Sequence, residues 1–207
     1  VAKVPVRKIQ IAGGQTFTDT VVWCEGPYVF KTISALTLGW PTTISATAHG
    51  VPAGVTIPIW IQNARGPSIN TTEETPHFAQ RVDANTLVLV GVNTGGQTAY
   101  VANSATLAYM PPKDITNYTA RCQFRRSVVS GTILIDAVST GLTPQITITG
   151  AVGQISLTLT PAEGRLLLDN NTLSTGIAQI ELVSPDSRVY RPWDYAWTAT
   201  PEGTREA

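Results

Sequence analysis

The tightest constraint in this chain is a two-residue alternation of apolar and polar side chains, cut again and again by glycine and proline. In Tyr118-Thr-Ala-Arg-Cys-Gln-Phe-Arg125, the residues Tyr118, Ala120, Cys122 and Phe124 alternate with Thr119, Arg121, Gln123 and Arg125. Successive side chains of a strand point to opposite faces, so this spacing predicts one buried row and one outward row. Gly153-Gln-Ile-Ser-Leu-Thr-Leu159 and Trp193-Asp-Tyr-Ala-Trp197 repeat the pattern. A helix, with a period of 3.6, would scatter these apolar residues around its circumference. Only Pro161-Ala-Glu-Gly-Arg-Leu-Leu-Leu168 reads as a helical turn, and Gly164 keeps it short.

The chain of 207 residues is long enough to bury a core without staples. Charged residues make up 14%, against about 25% in an average globular domain. Formal net charge is zero, which gives no bulk attraction to nucleic acid or to an anionic membrane. It also gives little self-repulsion, as suits a subunit that associates. No stretch approaches the ~20 apolar residues of a membrane helix. Val1-Ala-Lys-Val-Pro-Val-Arg-Lys8 has no long apolar run after its charges, so no signal peptide is expected, and valine at position 1 implies a missing initiator methionine. The expectation is a chain held in a cytosol until it is assembled.

Turn signals divide the alternation. Strands are expected at 29–38, 42–48, 55–62, 77–82, 86–92 and 98–108, then at 116–126, 131–139, 144–149, 153–160, 175–183, 187–191 and 194–200. Met110-Pro-Pro-Lys113 is the best boundary, because two prolines cannot continue a ladder. Gly13-Gly14 and Gly26-Pro27 interrupt an apolar N-terminal piece with weak links to the rest of the chain. The reading is all-β: two small antiparallel β-barrel or β-sandwich domains with an extended N-terminal arm. The bounds are 1–30 for the arm, 31–110 for a small barrel-like domain and 111–207 for a sandwich. The arm would pack on the body or be donated to a neighbour.

Two stretches resemble known domains. The first runs through Ala48-His-Gly-Val-Pro-Ala-Gly54, Ile57, Ile59, Ile69-Asn70, Phe78-Ala-Gln-Arg-Val-Asp-Ala-Asn-Thr-Leu-Val-Leu89 and Tyr100. It resembles a small β-domain of bacteriophage tail proteins that is grouped with a half-domain of ubiquitin-activating enzymes. Its physical content is turn chemistry: Gly50 and Gly54 allow positive φ and Asn85 tolerates it. It departs from the pattern at Val55, where an acid is usual, and at Pro58, inside a strand that should be paired. The second runs through Asp114-Ile-Thr-Asn-Tyr-Thr-Ala-Arg121, Gly153–Leu159, Ile180-Glu-Leu182 with Pro185-Asp186, and Thr204-Arg205. It is similar to a β-sandwich domain of phage tail and baseplate proteins, and departs where Arg191-Pro-Trp-Asp-Tyr-Ala-Trp197 replaces a glycine. The resemblance implies a virion component and carries no catalytic residues.

Each candidate site has a bland counterpart. Trp193, Tyr195 and Trp197 share one face of a strand and form either a core row, a subunit interface or a platform for sugar rings. Arg121 and Arg125 belong to an outward face suited to solvent or to intersubunit ion pairs, and Trp60, like Trp40, to packing or an interface. His49 and His77 are read as structural, because no G-x-S-x-G motif or oriented nucleophile accompanies them. Glu73-Glu74 reads as a solvated loop rather than a glycosidase pair. Cys122 reads as a buried thiol, with a Cys24–Cys122 disulfide as the alternative. No metal spacing exists and no cofactor is expected.

These readings point to a non-enzymatic structural protein of a bacteriophage virion, assembled in the host cytoplasm. A tail or baseplate adaptor or fibre-attachment subunit comes first. It would act as a homo-oligomer through interfaces with other virion proteins, and without nucleic acid or membrane. Head decoration and a host-surface glycan-binding module are the alternatives.

Overall fold

The computed structural model describes residues 6–201. The strands, in chain order, are β1 (Val6–Ala12), β2 (Phe17–Val22), β3 (Val29–Ile33), β4 (Ala35–Thr37), β5 (Thr42–Ser45), β6 (Thr56–Gln62), β7 (His77–Arg81), β8 (Thr86–Val90) and β9 (Ala105–Tyr109). They continue as β10 (Thr119–Arg125), β11 (Ile135–Val138), β12 (Ile146–Thr149), β13 (Gln154–Leu159), β14 (Ser174–Val183), β15 (Val189–Tyr190) and β16 (Asp194–Thr200). One helix, α1 (Pro161–Leu166), sits where the helical turn is expected. Its start is chemically specified. The Thr160 hydroxyl accepts from the Glu163 N–H, the Glu163 carboxylate accepts from the Thr160 N–H, and Pro161 opens the first turn, where its missing donor costs nothing.

The fold is all-β; β1 runs parallel to β16, while β10, β11, β14 and β16 and the strands of the seven-stranded sheet pair antiparallel. Two compact units emerge. One joins the chain up to Val21 with everything from Ile115 onward; the other is Val22–Asp114.

Unit 1 holds two sheets. The larger has the order β1-β16-β14-β10-β11, with β15 beside β14, and the smaller is β12-β13-β2. Inward rows are apolar: Ile9 and Ile11 on β1, Ala120, Cys122 and Phe124 on β10, Ala178, Ile180 and Leu182 on β14, and Ile155, Leu157 and Leu159 on β13 are buried. The Arg7 guanidinium meets the Asp19 carboxylate at 3.0 Å, tying β1 of the larger sheet to β2 of the smaller. This arrangement corrects the expectation of an N-terminal arm. Residues 6–12 are a paired strand of unit 1, β2 is the third strand of its smaller sheet, and residues 22–30 belong to unit 2; the first five residues lie outside the described range. The physical reason is the alternation itself. Ile9 and Ile11 bury on the same side as Trp197 and Ala199, their ladder partners on β16.

Unit 2 is a seven-stranded sheet ordered β3-β9-β6-β7-β8-β5-β4. The ladders form a path with two ends, and no closed barrel is found, which corrects the barrel expected for 31–110. Those two ends, β3 and β4, are successive pieces of one segment interrupted at Ser34, whose N–H turns to the Ser45 carbonyl at 2.8 Å. Pro58 is accommodated inside β6 because β6 pairs β7 over Thr56–Ile59 and β9 only over Trp60–Gln62. It therefore needs a ladder on one side alone. The predicted strand 98–108 shortens to β9, and residues 131–134 form a loop rather than the start of a strand. Pro111-Pro112-Lys113 is woven into unit 2 as well. Glu25 N–H donates to Pro111 O at 3.0 Å, Lys113 N–H donates to Trp23 O at 2.8 Å, and the Lys113 ammonium contacts the Glu25 carboxylate 4.3 Å from the centre of the Trp23 ring.

Candidate interaction surface

Strand parity and ladder register define what each sheet shows to solvent. On unit 2, Phe30 lies opposite Ala108, and Ala108 lies opposite Trp60. One step along the sheet, Pro58 lies opposite Phe78, and Phe78 lies opposite Val90. These six residues form an apolar row across five neighbouring strands, exposed at Phe30, Phe78 and Val90 and buried at Ala108 and Trp60 in between. Phe30 is 59% exposed and Phe78 48%, with Tyr28 and Val90 close behind. Tyr28 stands edge-on to Trp60, ring centres 5.4 Å apart, and 6.2 Å from Phe30. The rest of the outward row is Thr32, Thr106, Thr56, Gln62, Gln80, Thr86, Val88, Thr43, Ser45, Ala35 and Thr37, set by the same register. No outward position on the seven strands is charged. Lys31 and Arg81, the charged residues of these strands other than His77, fall on the opposite row.

The carboxylate tied to the band lies beside one end of it. The Tyr28 hydroxyl donates to both carboxylate oxygens of Glu73, at 3.0 Å each, in the loop between β6 and β7. That bond, followed by burial and Glu73's negative charge, raises the Tyr28 pKa. Glu74 is held below the usual carboxylate range by bonds from Thr72 and its own backbone N–H. Glu73 is thus an anchor for Tyr28 rather than half of a catalytic pair.

The larger sheet of unit 1 faces outward quite differently. Arg121, Gln123 and Arg125 point out from β10, as expected, while Ala120, Cys122 and Phe124 are buried. Arg121 Nε donates to Asp136 Oδ1 at 2.7 Å, with a second bond to Oδ2, and Arg191 Nε donates to Glu181 Oε1 at 3.0 Å. The hydrogen bond to Arg121 pulls the Asp136 carboxyl below its usual value, against a smaller effect of burial. Arg125 is occupied by Gln123 and by the carbonyls of Ser130 and Gly131. Arg121, Arg125, Asp136 and Glu181 are thus paired within the unit, while Asp194 on the same row keeps a buried Oδ1 without a hydrogen-bond partner.

The aromatic row of β16 is core. Trp193, Tyr195 and Trp197 are all buried, Trp197 to 1% exposure, which corrects their assignment as interface residues and removes the sugar-stacking platform built on them. Trp197 Nε1 donates to Ile177 O at 2.9 Å, and the Arg126 guanidinium sits 5.5 Å from the centre of the Trp197 ring. Room for the indole comes from Gly176, its ladder partner. A Cβ there would stand 2.3 Å from Trp197 Cζ2 and 2.3 Å from the Arg125 carbonyl oxygen. Burial, then the charge of Asp19, drive the Tyr195 hydroxyl's pKa upward. Trp60 is also mostly covered, so it serves as the floor of the unit 2 band rather than its exposed part.

His49 is fully buried and its ring is committed to backbone. Val51 N–H donates to Nδ1 at 3.0 Å, which makes Nε2 the protonated nitrogen, donating to Asp83 O at 2.8 Å. Tyr109 donates its hydroxyl to the His49 carbonyl. Positive φ at Gly50 (81°) and Gly54 (79°) completes the turn. Asn85 acts through its side chain instead, accepting from Ala48 N–H at 2.9 Å. His77 Nε2 lies 3.1 Å from the Ile69 carbonyl. Both cysteines are free thiols: burial pushes Cys24 up to about 11 and Cys122 higher still. No group of three or more potential metal ligands is found among the described residues. None of the helices described is long and apolar enough to cross a membrane.

Sequence reasoning passed over Tyr28, Phe30, Phe78 and Val90. The signal was present in the outward positions of 29–33, 56–62, 77–81 and 86–90, which lack the charges a solvated face usually carries. Comparison with known proteins finds no matching family model and no similar curated protein.

Proposed function

We propose that this chain is a non-enzymatic structural subunit of a bacteriophage virion, a tail or baseplate adaptor or fibre-attachment protein that works through protein–protein interfaces. The observation that carries the interface part is the outward face of unit 2. Monomeric proteins seldom leave a continuous apolar band uncovered, and they normally break up exposed sheet faces with charge. Here an apolar row crosses five strands with no charged side chain on it, and Tyr28, Phe30, Phe78 and Val90 stand exposed along it. The virion part rests on the resemblance of 31–108 and 114–205 to phage tail domains. Within it, the two sheets of unit 1 are read as the layers of a sandwich domain and unit 2 as the smaller β-domain.

The test is gold-labelled antibody staining of intact particles of the phage that encodes the chain. Label at the tail end is the expected result and identifies its neighbours. Label over the head moves the protein to capsid decoration. Unlabelled particles that also lack the protein on a denaturing gel sink the virion role.

A further inference from the structure

The two ends of unit 1's larger sheet are β11 and β1. An end strand offers a row of backbone N–H and C=O groups on which a further strand can pair, and proteins usually blunt it. β11 is blunted. It is four residues long, and its Val138 N–H donates to the Gln145 side chain at 3.3 Å. β1 is not. It runs for seven residues without proline or bulge, matched one to one with β16.

One bond fixes which of its groups are open. Gly13 N–H, just past β1, donates to Thr200 O at 2.8 Å. Backbone groups of successive residues point to alternate edges of a strand. Arg7, Ile9 and Ile11 therefore bond β16, while Lys8, Gln10 and Ala12 point away from it. The Ala12 carbonyl agrees with this parity, since it accepts from Gln15 N–H at 3.2 Å in the turn beyond. The N–H and C=O of Lys8 and of Gln10 meet no partner among the described residues. They stand in strand register on an uncovered edge. The Lys8 ammonium beside them is exposed and forms no ion pair among the described residues, whereas Arg7 is bound to Asp19. Val6, on the same outward row as Lys8, is 57% exposed.

We propose that the outer edge of β1 is a strand-addition site for an extended segment of a partner protein, with an acidic residue opposite Lys8 and an apolar residue two places away, opposite Val6. Main-chain bonds to Lys8 and Gln10 hold the segment, and its alternate side chains set the choice of partner. Charge favours a foreign strand over a second copy. Two β1 strands laid antiparallel in full overlap put Lys8 opposite Gln10 and diagonal to the other Lys8, where like charges repel. An acid in a foreign strand faces Lys8 directly and attracts it. The site is separate from the apolar row on unit 2 and does not depend on it.

Amide hydrogen exchange and a peptide array test this on the full chain. In the free chain the Lys8 and Gln10 amides should exchange freely while those of Ile9 and Ile11 are protected. An array of short random peptides lacking proline should retain the chain on peptides whose aspartate or glutamate lies two places from an apolar residue. Soluble copies of those peptides should then protect the Lys8 and Gln10 amides. Gln10→Pro removes an open donor and leaves the β16 ladder alone, so it should weaken retention roughly tenfold or more while the thermal midpoint stays close to wild type. Lys8→Glu should turn the selection from acids to lysine and arginine, which keeps the test decisive if Gln10→Pro fails to fold. Phe78→Asp should leave retention unchanged; a loss there would place the binding on unit 2 and overturn the proposal. Lys8 and Gln10 amides already protected in the free chain overturn it, as does an array without acid-bearing hits or with hits that ignore both β1 variants. A concentration-dependent dimer abolished by Gln10→Pro would give the edge to a second copy and overturn the partner strand.

Discussion

The larger sheet of unit 1 and the sheet of unit 2 obey the same alternation, yet their outward rows are opposites. Unit 1 shows Arg121, Gln123, Arg125 and Asp136 bonded to one another across β10 and β11, and Glu181 of β14 bonded to Arg191. Unit 2 shows Phe30, Pro58, Phe78 and Val90 among threonines and glutamines. The inward rows of both are buried at their centres: Ile57, Ile59, Ile61, Leu87 and Leu89 in unit 2, and Cys122, Phe124, Ile180 and Leu182 in unit 1. Folding alone accounts for the inward rows. The difference outside is therefore about what each unit meets after folding. A face whose charges have found partners is finished; a face with no charges and exposed rings is prepared for a partner.

The sharpest way to break this comparison is to show that the aromatics of unit 1 behave like those of unit 2. Trp197→Ala should destabilise the protein by about 3–5 kcal/mol, because it empties a buried site that Gly176 exists to admit. A fall in the urea midpoint measures it. A loss below about 1 kcal/mol would mean that the row is not core. His49→Ala comes next, at about 2–4 kcal/mol, since it strands the Val51 N–H and the Asp83 carbonyl in a buried turn of unit 2. His49→Gln, which keeps an acceptor and a donor, should recover part of the loss.

Phe78→Gln should shift the midpoint by less than about 1 kcal/mol, because the ring is half in solvent already. Smallest of all is the contribution of the Arg121–Asp136 pair. Arg121 holds the Asp136 carboxyl below its usual 3.8, so the pair's stabilisation is present above that value and is lost as pH falls through the lowered one. Both side chains are more than a third exposed, which limits the effect at pH 7 to about 1 kcal/mol or less. The gap between wild type and Asp136→Asn in urea titrations should close progressively below pH 3.8. A gap that persists unchanged in strong acid would show that Asp136 acts by packing, not charge.

Much of this was legible in the chain. The alternation placed most strands and separated Arg121 from Cys122, and Pro161-Ala-Glu-Gly-Arg-Leu-Leu-Leu168 read as the one helical turn, where α1 lies. Two kinds of information were not local. Parity says that Trp193, Tyr195 and Trp197 share a face, but not that this face is dry. That depends on β1 and β14 flanking β16 and on the missing side chain of Gly176. Likewise the N-terminal segment looked like an arm because its partner, β16, comes from the far end of the sequence and pairs in parallel, without a hairpin turn to mark the join. The band on unit 2 stayed hidden for a related reason. Phe30, Trp60, Phe78 and Val90 come from four strands, and only the register of β3, β9, β6, β7 and β8 sets them side by side.

The account stands most directly on whether the uncharged face of unit 2 is what the assembly covers. Phage particles grown with Phe30→Lys plus Phe78→Asp, next to particles grown with Arg121→Ala, should be assayed for this chain by quantitative immunoblot. The account predicts that the band variant accumulates folded in the host but is missing from particles, while Arg121→Ala is incorporated at the wild-type level. Equal incorporation of the band variant would contradict it.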